Sequence, residues 1–176
     1  MKQLTMLDLC CGLKGASEGF KQRGWKVYTL DIDPRFNPDY VADVRYWSWQ
    51  GERLNFIWAS SPCDEFARES MPWCRTGKQP DMSLVIGCKR IINECDPELG
   101  WVLENVRGAQ AYLGKSVQNI GAFHFWGRFP LLGNMDLRIK KKESYGSKQE
   151  AERAKIPLQI STAFAIKIES QLVLIK

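Results

Sequence analysis

Apolar segments of the length of β-strands alternate with helical segments over much of the chain, and this alternation restricts the possible folds more than any other feature. Residues 4–9, 25–31, 55–60 and 101–103 have the composition of buried strands, and residues 40–44 fit a shorter one. Apolar residues at helical spacing fall between them, at residues 16–23 and 83–95. Strands that alternate with helices predict an α/β fold with a mostly parallel sheet and helices on both faces.

The chain has 176 residues, which suits a single domain spanning residues 1–176 with a core of its own. Two later strands are expected at residues 121–126 and 137–139, as a hairpin at the sheet edge, and Pro157 begins a last helix. No apolar run approaches the roughly 18 residues of a membrane span, and the N-terminus does not have the pattern of a signal peptide. We therefore expect a cytoplasmic protein without a membrane partner.

Unusual residues follow the first three predicted strands. Gly12 and Gly15 stand in the first turn, where they let a ligand approach the backbone closely. Asp31 follows about 20 residues after Gly12, the spacing at which a carboxylate accepts hydrogen bonds from a ribose diol. Asp43 is predicted near the end of the third strand. Because ligands of open parallel sheets bind at the carboxyl ends of the strands, these residues predict a nucleoside site.

A thiol and a carboxylate follow the next two strands. The fourth strand leads to Pro62 and Cys63, and the fifth ends at Glu104 and Asn105. A cysteine nucleophile needs thiolate character, which a nearby cation such as Arg68 favours. A carboxylate at the end of a hydrophobic strand is costly to bury and is better explained by a ligand than by packing.

Cys63 is one of six cysteines, and the sequence contains no C-x-x-C pair and a single histidine, His124. This pattern does not fit a zinc site, and we predict no metal. The segment from residue 64 to 80 has no clean periodicity and is expected to form a long loop. His124 lies in an apolar strand and is expected to be structural.

Taken in order, these segments resemble the cytosine-5 DNA methyltransferases. The resemblance runs from Leu7 to Val106 and rests on Asp-Leu-Cys-Cys-Gly-Leu-Lys-Gly at residues 8–15, Asp-Ile-Asp at 31–33 and Asp-Val at 43–44. The most specific matches are Ser-Pro-Cys-Asp-Glu-Phe at residues 61–66 and Glu-Asn-Val at 104–106. The resemblance implies a Rossmann-like S-adenosylmethionine-dependent methyltransferase fold.

The resemblance also assigns roles. The Cys63 thiolate adds to C6 of a flipped-out cytosine, Glu104 engages N3 and the exocyclic amine, and C5 then takes the methyl group. Asn105 completes the catalytic set. The cofactor is S-adenosylmethionine, released as S-adenosylhomocysteine, and its binding residues are Asp8, Cys10, Gly12, Leu13, Gly15, Asp31, Ile32, Asp43, Val44, Pro62 and Leu84.

The chain departs from the family at Lys14, where glycine is usual, at Asp64, where glutamine is usual, and more seriously in two further respects. The Gln-x-Arg segment, whose arginine helps to hold the target base, is present only as Gln-Asn-Ile at residues 118–120, and Arg107 and Arg128 are the candidate substitutes. The target-recognition domain is absent or very reduced. Reduced enzymes encoded by bacteriophages and mobile elements have this form and resemble the chain at residues 123–130.

DNA is the expected partner, with RNA as an alternative, and we expect a monomer. The net charge of +5 is compatible with a polyanionic partner. The residues expected to contact nucleic acid are Arg68, Arg75, Lys78 and Arg107, with a basic run at residues 140–142 and Trp73 as further candidates. The alternatives left open are an RNA cytosine-5 methyltransferase, a catalytically inactive protein that binds S-adenosylmethionine or DNA, and an enzyme acting on free cytosine nucleotides.

Overall fold

A computed structural model describes residues 3–70, 75–133, 152 and 154–174. The predictions for residues 73, 137–139 and 140–142 lie outside these residues. Within the described part of the chain, no helix is both long and apolar enough to cross a membrane.

One sheet of seven strands organises the fold. The strands are β1 (Thr5–Leu9), β2 (Lys26–Asp31), β3 (Tyr40–Val41), β4 (Phe56–Ala59), β5 (Gly100–Asn105), β6 (Gln118–Ile120) and β7 (Phe123–Arg128), in the spatial order β3-β2-β1-β4-β5-β7-β6. The first five strands pair in parallel, whereas β7 pairs antiparallel to both β5 and β6. The chain order reverses between β1 and β4, which is where ligands of such sheets bind.

Helices cover both faces of this sheet. They are α1 (Gly15–Gln22), α2 (Asp64–Ser70), α3 (Ser83–Cys95), α4 (Gln110–Leu113) and α5 (Leu158–Leu174), with short 3₁₀ helices at Pro34–Phe36 and Arg107–Ala109. On one face, α1 and α5 pack on a core that includes Phe56, Trp58 and Phe125. On the other face, α2 and α3 pack on residues such as Leu7, Ile57 and Leu103. The α/β fold with helices on both faces is therefore confirmed.

Two local predictions were wrong, and a third holds only in part. The third strand ends at Val41 instead of residue 44, because the Asp43 carboxylate accepts a hydrogen bond from the Arg45 backbone N–H and begins a turn. The expected loop at residues 64–80 begins with helix α2, whose buried Phe66 packs into the core. Of the expected edge hairpin, the strand at residues 121–126 is present as β7, shifted by two residues, and its partner among the described residues is β6, for which no strand was predicted.

Candidate active site

The carboxyl ends of the parallel strands bring together most of the residues singled out in the sequence. Asp31 is the last residue of β2, and Glu104 and Asn105 are the last two residues of β5. The turn after β1 and the Ser60–Cys63 segment after β4 lie between them in the sheet order. The predicted cofactor and catalytic segments therefore lie along one edge.

The turn after β1 is fixed by Asp31. One carboxylate oxygen accepts the Gly12 backbone N–H at 2.8 Å and the other accepts the Asp33 N–H at 3.0 Å. Cys10, Gly12 and Lys14 all have positive φ angles, which bend the chain sharply before α1. No atom lies within 4 Å of the position that a Cβ of Gly12 would take, so the turn leaves open space beside its backbone.

Asp8 is a buried carboxyl group near the end of β1, just before this turn. It is 1% exposed, and its Oδ2 accepts a hydrogen bond of 2.6 Å from the Ser17 hydroxyl. Its Oδ1 is the one buried side-chain oxygen or nitrogen without a partner in the described part of the chain. Burial raises the pKa of Asp8 to about 7, against the opposing effect of the Ser17 hydrogen bond.

The residues predicted near the adenine of the cofactor differ in exposure and in hydrogen bonding. Ile32 is 62% exposed, which leaves an apolar side chain open to a ligand. Val44 is buried, and its carbonyl accepts a hydrogen bond from Arg90 of α3. The Asp43 carboxylate is paired with the Arg45 guanidinium at 2.6 Å, so this acceptor is already engaged. Leu84, early in α3, is half-buried against the core on its side of the sheet.

Cys63 lies where the Ser-Pro-Cys turn enters α2. It is half-buried, and its carbonyl accepts the Phe66 and Ala67 backbone N–H groups, which begin the helix. Among the other thiols, burial raises the pKa of Cys11 to about 12 and that of Cys95 to about 11. A hydrogen bond with Cys88, followed by burial, raises the pKa of Cys10. These three thiols are poor nucleophiles at neutral pH.

Asn105 joins the end of β5 to the turn that carries Cys63. Its side-chain amide donates to the Ser61 carbonyl at 3.0 Å and contacts the Ser61 hydroxyl at 3.3 Å. Its Oδ1 accepts the Val106 backbone N–H at 2.9 Å. All these bonds are internal, so the geometry fits a residue that positions the turn.

Glu104 is the second buried carboxyl group of this edge. It is 8% exposed, and burial raises its pKa to about 7, opposed by a hydrogen bond with the Ser60 hydroxyl. Ser60 also accepts the Trp58 indole N–H at 2.8 Å, which fixes the serine side chain. Ser60 was not singled out in the sequence, although its place three residues before Cys63 is a usable signal.

Gly108 is a second residue that the sequence reasoning missed. A Cβ at Gly108 would overlap the Phe66 carbonyl oxygen of α2 and lie 3.1 Å from its carbonyl carbon. The rings of Phe66 and Tyr112 also contact each other, with centroids 5.9 Å apart. The segment after Glu104 therefore packs directly on the helix that begins at Cys63.

The predicted nucleic-acid contacts differ in how they are held. The Arg68 guanidinium forms an ion pair with Glu65 at 2.9 Å, whereas Arg75 and Lys78 have exposed side chains. Arg107 is exposed at the site edge. Arg128 lies at the opposite edge, where it donates to the Pro97 and Glu98 carbonyls before β5. Of the two candidate substitutes for the family's arginine, only Arg107 lies beside the site.

The Gln-Asn-Ile segment forms β6. The Gln118 amide donates to the Gly133 carbonyl at 3.2 Å and accepts the Leu132 backbone N–H at 3.0 Å. Ile120, at the position of the family's arginine, is buried in the core. Gln118 and Ile120 therefore have structural contacts. Among the residues that the structure covers, no group of three His, Cys, Asp or Glu side chains is arranged to hold a metal ion.

The sequence matches no protein-family model and no curated protein. An Entamoeba histolytica methyltransferase, EhMeth, is similar in structure, with a TM-score of 0.55 at 16% identity over 82% of this chain and 58% of that one. A structure assigned as a DNA modification methyltransferase encoded within an E. coli prophage has a TM-score of 0.47 at 22% identity, over 61% of this chain and 33% of that one. The S. pombe Dnmt2 methyltransferase has a TM-score of 0.44 at 16% identity, over 62% and 36%.

This chain spans between 33% and 58% of the length of these three structures. The likeness to EhMeth covers most of this chain, whose seven-stranded, mostly parallel sheet has helices on both faces. The chain therefore has the Rossmann-like α/β fold of S-adenosylmethionine-dependent methyltransferases.

Proposed function

We propose that this chain transfers a methyl group from S-adenosylmethionine to C5 of a flipped-out cytosine in DNA, through a covalent adduct with Cys63. The observation that carries the proposal is the buried Glu104 carboxyl group at the end of β5. Its pKa is about 7, and the next residue, Asn105, is hydrogen-bonded to the turn before Cys63. A proton donor and a thiol are thus supported by one strand end.

The residues of the β1 and β2 ends fit S-adenosylmethionine. The unpartnered Oδ1 of Asp8 offers a buried acceptor, and the space beside Gly12 admits a ligand against the backbone. Asp31 is held in place by two backbone N–H groups and retains lone pairs for a ribose diol. The exposed Ile32 provides apolar surface for a purine. We assign the cofactor site to these four residues together with Cys10, Leu13, Gly15, Val44, Pro62 and Leu84.

Glu104 acts as the acid that activates the ring. At pH values below about 7 it holds its proton, and it gives that proton to N3 as the Cys63 thiolate adds to C6. The electron pair of the C5–C6 double bond is then available at C5. S-adenosylmethionine, when bound, supplies an electrophilic methyl group to this carbon.

The reaction is completed when C5 loses its proton and the thiolate leaves C6. The C5 hydrogen departs as a proton to a base, the double bond re-forms, and N3 returns its proton to the Glu104 carboxylate. Cys63 and Glu104 are thus regenerated. Asn105 contributes by holding the Ser61 backbone and, through it, the position of Cys63.

The proposal also specifies the substrate as a nucleic acid. Ring atoms C5 and C6 are stacked inside a duplex, so an enzyme of this kind takes the base out of the stack. The exposed cations Arg75, Lys78 and Arg107 are the candidates for contacts to the backbone. DNA is our first choice of substrate, and RNA cytosine is the alternative because the same chemistry applies to both.

A trapping experiment tests the proposal. Duplex DNA and a matching RNA, each with 5-fluorocytosine in place of cytosine, are incubated with the protein and labelled S-adenosylmethionine. Fluorine at C5 cannot leave as a proton would, so the adduct persists. We expect a labelled covalent adduct with DNA that is lost in Cys63→Ser, whereas Cys95→Ser retains it.

The other outcomes identify the alternatives. An adduct with RNA alone would replace DNA by RNA as the substrate. Cofactor binding without any adduct would favour the non-catalytic reading and overturn the proposed reaction. An adduct that survives in Cys63→Ser would show that another residue is the nucleophile.

A further inference from the structure

His124 lies beside the catalytic strand end. In the antiparallel pairing of β5 with β7 it is directly opposite Asn105, so the two side chains are on the same face of the sheet. Asn119 of β6 faces it from the other side. Three polar residues thus lie side by side across three strands, next to the turn that carries Cys63.

The hydrogen bonds of His124 orient its ring. The Nδ1 atom lies 3.0 Å from the Ser116 hydroxyl, whose other contact, to the Gln110 side-chain oxygen, is longer at 3.4 Å. The single hydroxyl proton can go to the Gln110 oxygen or to Nδ1, and we assign it to Nδ1 because that contact is shorter; in this tautomer the ring proton is on Nε2. Among the described residues Nε2 has no hydrogen-bond partner, yet it is not a buried orphan atom, so it reaches solvent through the 8% of the residue that is exposed.

Arg107 follows the same strand end and has no carboxylate partner among the described residues. In contrast, Arg23, Arg35, Arg45, Arg68 and Arg90 each form an ion pair. Burial first, and then the positive charge of Arg107, lower the pKa of His124. Arg107 is two residues beyond Asn105, the residue opposite His124, and has no carboxylate partner among the described residues; a guanidinium beside a neutral imidazole donor suits an anionic ligand.

We propose that Arg107 and the Nε2–H of His124 form a subsite for one phosphate of the nucleic-acid backbone next to the active site. This inference rests on the proposed function, because it takes nucleic acid as the substrate. The guanidinium supplies the charge and the imidazole a fixed, neutral donor. A contact of this kind sets the register of the nucleic acid and carries no sequence preference.

The salt dependence of binding tests this subsite. Fluorescence anisotropy gives the affinity for a cytosine-containing DNA duplex, an all-dA·dT duplex and an RNA hairpin between about 50 and 200 mM salt. For Arg107→Gln we expect roughly tenfold weaker binding and a plot of log K against log salt that is shallower by about 0.9, the value of one lost phosphate contact. Arg107→Lys should retain the slope.

Arg53→Gln is the matched control, because Arg53 is exposed and has no carboxylate partner among the described residues, but precedes β4 at the opposite sheet edge. Its affinity and slope should equal those of the original chain. His124→Phe removes the neutral donor and keeps an aromatic ring, so it should weaken binding with the slope unchanged. If a thermal melt shows that the His124 variant does not fold, Ser116→Ala is used instead. It removes the hydroxyl that orients the His124 ring, and it should also weaken binding with the slope unchanged.

Three results separate the possibilities. An unchanged slope in Arg107→Gln, or no binding to any of the three nucleic acids by the original chain, would overturn the subsite. Weaker binding only of the cytosine-containing duplex would also overturn it, since it would indicate a contact to the base. A changed slope in a chain that forms no 5-fluorocytosine adduct would support the subsite while the methyl transfer itself failed.

Discussion

The two edges of the sheet differ in whether they bury carboxyl groups without an ion-pair partner. At the carboxyl edge, Asp8 and Glu104 are buried, have no ion-pair partner among the described residues, and have pKa values of about 7. At the amino edge, Glu52 accepts hydrogen bonds from Lys26 and Tyr28. Glu94 is paired with Arg90 at 2.7 Å, and this hydrogen bond lowers its pKa. The carboxyl edge has surface ion pairs too, such as Asp43 with Arg45, but it also retains protons on two buried acids, whereas Glu52 and Glu94 at the amino edge are both paired with cations.

The buried acids and the open cavity point to different edges of the sheet as the active site. An open cavity of about 440 Å³ lies at the amino edge, lined by residues that include Trp49, Glu52, Arg53 and Glu94. Its acids are in ordinary surface ion pairs, which contribute little and are common in structural positions. Buried acids without such partners lower stability and persist where a function requires them. The carboxyl edge is therefore the active-site candidate, although this open cavity lies at the amino edge.

The largest effect is expected at Glu104. Its pKa rises from 4.5 to about 7 on folding, so ionisation above pH 4.5 progressively destabilises the folded chain. Glu104→Gln removes this cost, and it should leave the free energy of unfolding nearly unchanged at pH 4 and raise it by about 3 kcal/mol at pH 8. Denaturant unfolding at the two pH values measures the difference.

The same substitution tests the catalytic role. Because Glu104 must hold a proton to give it to N3, the rate of methyl transfer should fall as the pH rises through about 7. In Glu104→Gln the rate of methyl transfer should be low at every pH. The fall in rate near pH 7 should be absent, and the affinity for the cofactor should be retained. A variant that is more stable yet fully active would remove Glu104 from the mechanism.

The next largest effect is expected at Gly108. Gly108→Ala forces a Cβ against the Phe66 carbonyl and should displace α2, and with it Cys63. A misplacement of about 1 Å costs on the order of 100-fold in rate, so the adduct should form about 100-fold more slowly while cofactor affinity is kept.

Gly51→Ala is the matched change at the amino edge, where the added Cβ meets the Trp49 ring. It should lower the melting temperature without changing the rate of adduct formation per folded molecule. Equal losses of rate in the two variants would mean that Gly108 acts only through overall stability.

The sequence predicted the strands and longer helices well because their signals are local. The helix Ser83–Cys95 has the predicted bounds, since its apolar residues recur at helical spacing. Helix α2 has only seven residues, too few for periodicity to show, and depends on packing against Gly108 and Tyr112. The predicted third strand is longer than the observed one, because the turn formed by the Asp43 side chain competes with strand pairing.

In the site too, the sequence predicts what depends on local patterns and not what depends on strand register or packing. That Asp31 and Glu104 lie at strand ends follows from the sequence, because parallel strands bring their carboxyl ends to one edge. The position of His124 opposite Asn105 depends on the register of an antiparallel hairpin, which local patterns do not specify. Likewise, Arg107 and Arg128 are equivalent in the sequence, and only the direction of β7 separates them.

The smallest effect is expected at Glu94, with the opposite dependence on pH. Its hydrogen bond with Arg90 lowers its pKa below 4.5, so the contribution to stability is present above that pH and is lost as the pH falls through the folded-state pKa. Glu94→Gln should therefore slightly lower the melting temperature at pH 8 and leave it unchanged at low pH, where Glu104→Gln also has no effect. The rate of methyl transfer should not change. If Glu94→Gln instead stabilised the chain at pH 8, the acids of the two edges would share one environment, and the contrast that identifies the carboxyl edge as the active site would fail.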